Sequence, residues 1–234
     1  MNRRMVVLVM LVVLNAPAVV AGEIISLAVK VSYTTNTRFL YNVDRLDEFI
    51  DDKYFSLNFG IGVDVRWRAY GDDILVGVNV EKIKTLEQTV RSVQSGNLEY
   101  RIPVQEGFVT YPVEFSGYFV IPFSSEDVRM YLGGGVGWYF GERLYSVAQV
   151  NASTLNSPSG FGIHVLTGAD VRLLPRLAIR GELKFRDPQF DSVNKFDASS
   201  ATYDGVRILL DQSRTKTRIN LNGITYGLGL VISL

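Results

Sequence analysis

Residues 223–234 read GITYGLGLVISL. Even positions carry Ile224, Tyr226, Leu228, Leu230, Ile232 and Leu234. Odd positions carry Gly223, Thr225, Gly227, Gly229, Val231 and Ser233. Successive side chains on a strand point to opposite faces, so one face of this stretch is apolar and the other small or polar. The apolar face runs unbroken to the last residue, where soluble chains commonly fray into polar tails. A tilted strand of about 9–11 residues suffices to cross a bilayer. The stretch reads as the closing strand of a transmembrane β-barrel, with its even face on lipid and its odd face in the lumen.

The chain begins with the marks of export. Arg3 and Arg4 precede an apolar run from Met5 to Leu14, and Val19-Val20-Ala21 offers a cleavage site. The run is too short to span a membrane, so residues 1–21 are expected to be a cleaved signal peptide and residues 22–234 the barrel domain. No Cys follows, which excludes a lipid anchor on cysteine, a disulfide framework and thiol chemistry. The 24 basic and 24 acidic residues become net −2 once Arg3 and Arg4 are removed, so no basic footprint for nucleic acid is present. Aromatics make up 12% of the chain, and 21 residues are Gly.

Seven further segments alternate in the same way. They lie near residues 24–34, 54–68, 74–81, 108–123, 129–141, 161–173 and 177–186. Their outward faces include Val29 and Val31; Phe55, Phe59, Ile61 and Trp67; Val78 and Val80; Phe115 and Phe119; Leu132 and Trp138; Ile163 and Val165; Leu183 and Phe185. The fold class is thus all-β, a single antiparallel up-and-down transmembrane barrel of eight strands. Residues 201–212 could add a ninth and tenth. Pro112 interrupts the fourth segment, which normally marks an edge or a bulge.

Short connections at Tyr70–Asp73, Ser124–Asp127 and Leu174–Arg176 alternate with long ones, as in outer-membrane barrels with short periplasmic turns and long outer loops. Register follows from the rule that paired residues share a face. A two-residue loop at Gly96-Asn97 pairs Val78 with Phe115, so the third and fourth strands should continue beyond the membrane as one hairpin. A four-residue turn at Ser124–Asp127 pairs Phe115 with Val136. A three-residue turn at Leu174–Arg176 pairs Val171 with Ile179 and sets Asp170 across from Arg180. Trp67 and Phe119 fall near the periplasmic ends, and Tyr33, Trp138 and Phe185 near the outer ends, as two aromatic girdles.

The inward faces hold Lys30, Arg66, Arg68, Arg172, Arg180, Lys184 and Arg186 against Asp64, Glu81, Glu114, Asp170 and Glu182. An isolated buried charge is very costly, so these groups are expected to pair and fill the lumen. Asp170 with Arg180 is the first expected pair and Glu114 with Arg66 the second. The glycines at 133, 135 and 137, and at 227 and 229, leave room for the long side chains opposite.

The pattern resembles the small eight-stranded outer-membrane barrels of the OmpA/OmpW-like group over residues 24–234. The stretches that carry it are PVEFSGYFVIPF, VRMYLGGGVGWYF, GFGIHVLTGADVRLLPRLAIRGELKFRD and the terminal GLGLVISL. The resemblance implies a bacterial outer-membrane location, insertion by the barrel assembly machinery, and contact with outer-membrane lipids and lipopolysaccharide. It also implies that Tyr226, Leu228, Leu230, Ile232 and the last residue form the terminal assembly signal. Family members usually end that signal in an aromatic residue; here Leu234 stands there. No peptidoglycan-binding domain follows.

No catalytic constellation emerges. The single His, His164, faces the lumen without a Ser on its own strand face, so a lumen polar residue is the simpler reading. One His and no Cys fall short of a metal ligand set. The acidic run Asp44, Asp47, Glu48, Asp51 and Asp52 could hold calcium, but the spacing of Val43, Leu46, Phe49 and Ile50 favours a short amphipathic helix. No cofactor is expected, and a monomer is. The expected function is a non-enzymatic barrel serving envelope integrity or presenting its loops. The alternatives are a small porin or a channel for small or apolar solutes, then a lipid-modifying enzyme. Eight strands leave a lumen about wide enough for side chains, which disfavours a wide pore.

Overall fold

The computed structural model describes residues 24–41, 52–56, 58–95, 98–125 and 127–234. The expected signal peptide, most of the acidic loop and the Gly96-Asn97 tip lie outside them. The strands, in chain order, are β1 (Ile25–Thr34), β2 (Thr37–Tyr41), β3 (Asp52–Phe55), β4 (Asn58–Tyr70), β5 (Ile74–Ser95), β6 (Leu98–Val120), β7 (Val128–Val147) and β8 (Val150–Thr154). They continue as β9 (Ser159–Leu174), β10 (Leu177–Arg186), β11 (Gln189–Phe196), β12 (Ser200–Tyr203), β13 (Val206–Leu209), β14 (Thr215–Asn220) and β15 (Gly223–Ser233). No described residue is helical.

Eight of these strands close a barrel in the order β1-β4-β5-β6-β7-β9-β10-β15, each antiparallel to its neighbours, with β15 returning to β1. The registers match the parity argument. Val78 pairs with Phe115, Phe115 with Val136 and Val171 with Ile179. The β5–β6 ladder runs on to Ser95 and Leu98, far beyond the barrel wall. Pro112 makes no bulge. The ladder to β5 lapses at Tyr111 and Pro112 and resumes in the same register, which is the expected cost of a missing N–H.

The outer wall is apolar. Leu228, Leu230 and Ile163 are each more than half exposed, and so are Val31, Ile61 and Phe115. The inner face of the same strands is buried. Residues 200–209 form a separate hairpin, β12–β13, outside the barrel sheet, so the barrel stays at eight strands. Its turn at Asp204-Gly205 has φ of 50° and 76°, the paired left-handed conformation of a two-residue hairpin loop.

At the long-loop end, one side of the barrel folds inward. Asn36 (φ 54°) breaks β1 from β2, Pro188 breaks β10 from β11, and an Asn220 side chain accepting from Asn222 N–H breaks β14 from β15. The pieces beyond these breaks extend the sheet as β3-β2-β14-β11-β8-β7. Their inner faces pack Phe39, Phe55, Phe190, Ile219 and Leu221 onto Ile83, Phe108 and Tyr139. Ring centroids lie 4.6 Å apart for Phe39–Phe55 and 5.9 Å for Phe39–Phe108. This corrects the sequence reading of Phe55, which is buried in the apolar cap and not on lipid. The second barrel strand is β4, which begins at Asn58; Phe55 on β3 is buried and Phe59 on β4 faces outward, so the face parity of β3 does not carry into β4.

Candidate functional site

The lumen is layered. Nearest the short turns sit Leu75, Tyr118, Val120, Tyr131 and Leu166. The apolar cap closes the other end. Between them lies the charged network, in two groups.

In the first group, Arg180 grips Asp170 through two bonds (Nε to Oδ1, 2.7 Å; Nη2 to Oδ2, 2.8 Å) and reaches Asp64 Oδ2 at 3.2 Å. Arg66 also donates to Asp64 (2.7 Å) and to Glu182, and Lys30 meets Glu182 at 3.2 Å. Tyr131 donates to Glu182, and the Arg66 guanidinium lies 3.8 Å over the Tyr118 ring. In the second group, Lys184 meets Glu114 at 2.5 Å and Arg186 meets Glu81 at 3.0 Å. Glu114 also accepts from Tyr139 (2.7 Å) and Asn79 (3.0 Å), and Ser32 donates to Glu81.

Each group is electrically balanced. Lys30, Arg66 and Arg180 face Asp64, Asp170 and Glu182; Lys184 and Arg186 face Glu81 and Glu114. The excess of cations in the sequence tally disappears because Arg68 and Arg172 are not in the network. Arg68 pairs with the exposed Asp72 at 2.6 Å, and Arg172 is exposed at the rim. Glu114 is also re-partnered. It meets Lys184 and Arg186, because Asp64 on Arg66's own strand already takes that guanidinium.

Glycine strands make these contacts possible. Gly229 sits between Lys30 and Arg180, and Gly227 between Ser32 and Glu182. A Cβ added at Gly137 would lie 2.9 Å from the Tyr139 ring and 3.0 Å from Glu114 Cγ. Gly135 lies directly between Ser116 and His164, whose Oγ and Nε2 meet over it at 2.7 Å. The sequence reading missed this pair because the two residues belong to strands that only a third strand relates. Both are buried, and His164 Nδ1 has no partner among the described residues. Also among them, no three His, Cys, Asp or Glu side chains are placed to hold a metal ion.

Of the aromatic girdle positions, Trp67 and Phe119 lie on the outer wall near the short turns. Trp138 and Phe185 lie toward the other end, where Trp138 contacts Phe161 at 5.9 Å. Tyr33 stacks with Tyr226, meets the tilted Phe59 ring at 5.5 Å and donates to Ser56 O. On β15, Tyr226, Leu228, Leu230 and Ile232 face outward, and Leu234, just beyond the strand, is exposed. Above the cap, Arg143 bridges Glu106 and Thr217, and Asp191 takes a two-pronged bond from Arg218 (2.7 and 3.1 Å). That bond holds the Asp191 carboxyl below its usual value. Burial pushes the Tyr41 phenol up. Of the acidic run, Asp52 is described and pairs with Arg38 at 2.9 Å.

No family model and no curated protein matches the chain. Solved structures do. OprG from Pseudomonas aeruginosa superposes with a TM-score of 0.55 at 10% identity, over 90% of this chain and 95% of that one. The chain has the fold of a small outer-membrane β-barrel. Neisserial surface protein A (TM-score 0.46, 9% identity, 90% of this chain and 97% of that one) is also similar. So is Ail of Yersinia pestis (0.40, 16%, 89% and 98%).

Proposed function

We propose that this barrel resides in the bacterial outer membrane as a closed, non-enzymatic scaffold that holds a folded sheet above the surface. Its termini and short turns face the periplasm, its outer wall contacts lipid and lipopolysaccharide, and the barrel assembly machinery reads β15. The observation that carries this reading is the filled lumen: two neutral ion clusters packed with the Leu75, Tyr118, Val120, Tyr131 and Leu166 layer toward the short turns and the apolar cap toward the long loops. A conducting pore needs a continuous wet path, and buried charges in a narrow lumen block one by pairing. The Ser116–His164 pair is sealed behind the same layers, out of reach of a substrate. Rigid outward display is supported by the β2, β3, β11 and β14 extensions, whose apolar residues pack onto Ile83, Phe108 and Tyr139 of the long barrel strands.

The test is conductance in planar bilayers with the signal-free chain refolded in detergent. The wild type is expected to give no steady channel, and Arg180→Ala to give measurable leakage. A large, steady wild-type conductance unchanged by the substitution would reject the closed lumen.

A further inference from the structure

The barrel mouth at the short-turn end carries an unusual concentration of arginine. A cavity of about 70 Å³ there is lined by Arg66, Arg68, Arg129, Arg172, Arg176 and Arg180. Two carboxylates, Asp127 and Asp170, share the lining. Asp170 is committed to Arg180, Arg66 to Asp64 and Glu182, and Arg68 to Asp72. Arg129, Arg172 and Arg176 have no ion-pair partner among the described residues. The mouth therefore keeps an excess of positive charge after every internal pair is made, in contrast to the neutral lumen behind it.

Two further observations make this more than a solvated rim. Arg68, Arg129 and Arg172 occupy the lumen parity of β4, β7 and β9, so they converge over the opening while Trp67, Met130 and Val171 face outward. Beneath them Arg66, which also lines the cavity, is 1% exposed; its guanidinium lies over the Tyr118 and Tyr131 rings, and its Nη1 has no hydrogen-bond partner among the described residues. Its Nε and Nη2 are occupied by Asp64 and Glu182. A buried donor left open costs free energy unless something accepts from it. Arg129, Arg172 and Arg176 outnumber the one uncommitted carboxylate of the lining, Asp127, so they repel one another until a further anion joins them.

We propose that the mouth is a binding site for a phosphate-class oxyanion, with Arg129, Arg172 and Arg176 as its walls. The planar guanidinium fork suits phosphate oxygens, and the cavity has room for one such group. The phosphate comes from the headgroup of an anionic phospholipid in the adjoining leaflet or from a soluble periplasmic phosphate. The periplasmic origin of both sources rests on the orientation proposed above. The binding chemistry itself depends on neither orientation nor conductance, so the two ideas fail separately.

The test is calorimetric titration of the folded, signal-free chain in a maltoside detergent, which carries no phosphate, with inorganic phosphate at constant chloride. Saturable one-to-one binding is expected. The Arg129→Gln/Arg172→Gln double variant should weaken it at least tenfold. Arg91→Gln, which removes one exposed charge at the opposite end, should leave it unchanged. Arg172→Lys keeps the charge without the fork and should lose part of the affinity. Heat-modifiable gel migration confirms that each variant is folded. A second arm adds phosphatidylglycerol or phosphatidylcholine to the micelles. Displacement of phosphate by phosphatidylglycerol alone identifies the headgroup as the source, and no displacement identifies a soluble phosphate. Absence of saturable binding, or equal affinity in the wild type and the double variant, overturns the site.

Discussion

Lys184→Met and Arg180→Met should differ in cost, and the difference measures how dry the lumen is. Removing one partner of a buried ion pair costs about 3–5 kcal/mol, because the other charge is left uncompensated. Arg180→Met orphans Asp170, but that side chain is 17% exposed beside the mouth cavity, where water can reach it. Its second partner, Asp64, keeps Arg66 at 2.7 Å. The cost should fall near the lower figure, about 3 kcal/mol. Lys184→Met orphans Glu114, which is fully buried and keeps only Arg186 at 3.6 Å with two neutral donors. That cost should approach about 5 kcal/mol. Adding Glu114→Gln to Lys184→Met restores neutrality in the second cluster and should recover most of the loss. The assay is urea unfolding in lipid vesicles, followed by the fluorescence of Trp67 and Trp138 and by heat-modifiable migration. A Lys184→Met cost below about 1 kcal/mol, or below that of Arg180→Met, would show that water already solvates Glu114 and refute a dry plug.

Other substitutions probe the wall and the cap. Leu230→Arg, on the lipid face midway along β15, should cost roughly 2–4 kcal/mol in the same unfolding assay. Gly137→Val should cost about 1–3 kcal/mol through overpacking, since its side chain would collide with Tyr139 and Glu114. Asp191 has a folded pKa below its unfolded value. Its bond to Arg218 therefore stabilises fully above the ordinary carboxylate range and is lost as pH falls through the folded pKa. Limited proteolysis of β11 and β14 should accelerate over that acid range, and Asp191→Asn should remove that part of the pH dependence.

The barrel was legible because parity and loop length constrain each other. The short connection after β9 admits one register that keeps lipid faces together, and that register sets Asp170 opposite Arg180. The structure reaches it with a two-residue turn at Pro175-Arg176 and a register shift between Leu177 and Ala178, in place of the expected three-residue turn. The long connections carry no such constraint. The partnership of β7 with β9 spans one of them, so Ser116 and His164 could not be placed together from the chain alone. Phe55 failed for a related reason. Alternation reports a face only while the strand is continuous, and the break after β3 lets the same period aim an aromatic ring into the cap. The charge tally failed at Arg68 and Arg172 because inward parity says nothing about depth.

Lys30 and Glu182 meet across β15, over strands that are 152 residues apart in the chain. The first cluster is complete only when β1 and β15 have joined, so it acts as a latch on the seam. An open sheet of eight strands holds Lys30, Asp64 and Arg66 near one edge and Asp170, Arg180 and Glu182 near the other, so one half of the cluster carries an excess cation and the other an excess anion. Closure joins the two in one step, which ties the final neutralisation of the lumen to the zippering of the first and last strands. Contacts of such long range form late and slowly. A chain with Lys30→Met should therefore insert and form its hairpins at the normal rate, and lose speed at the closing step alone.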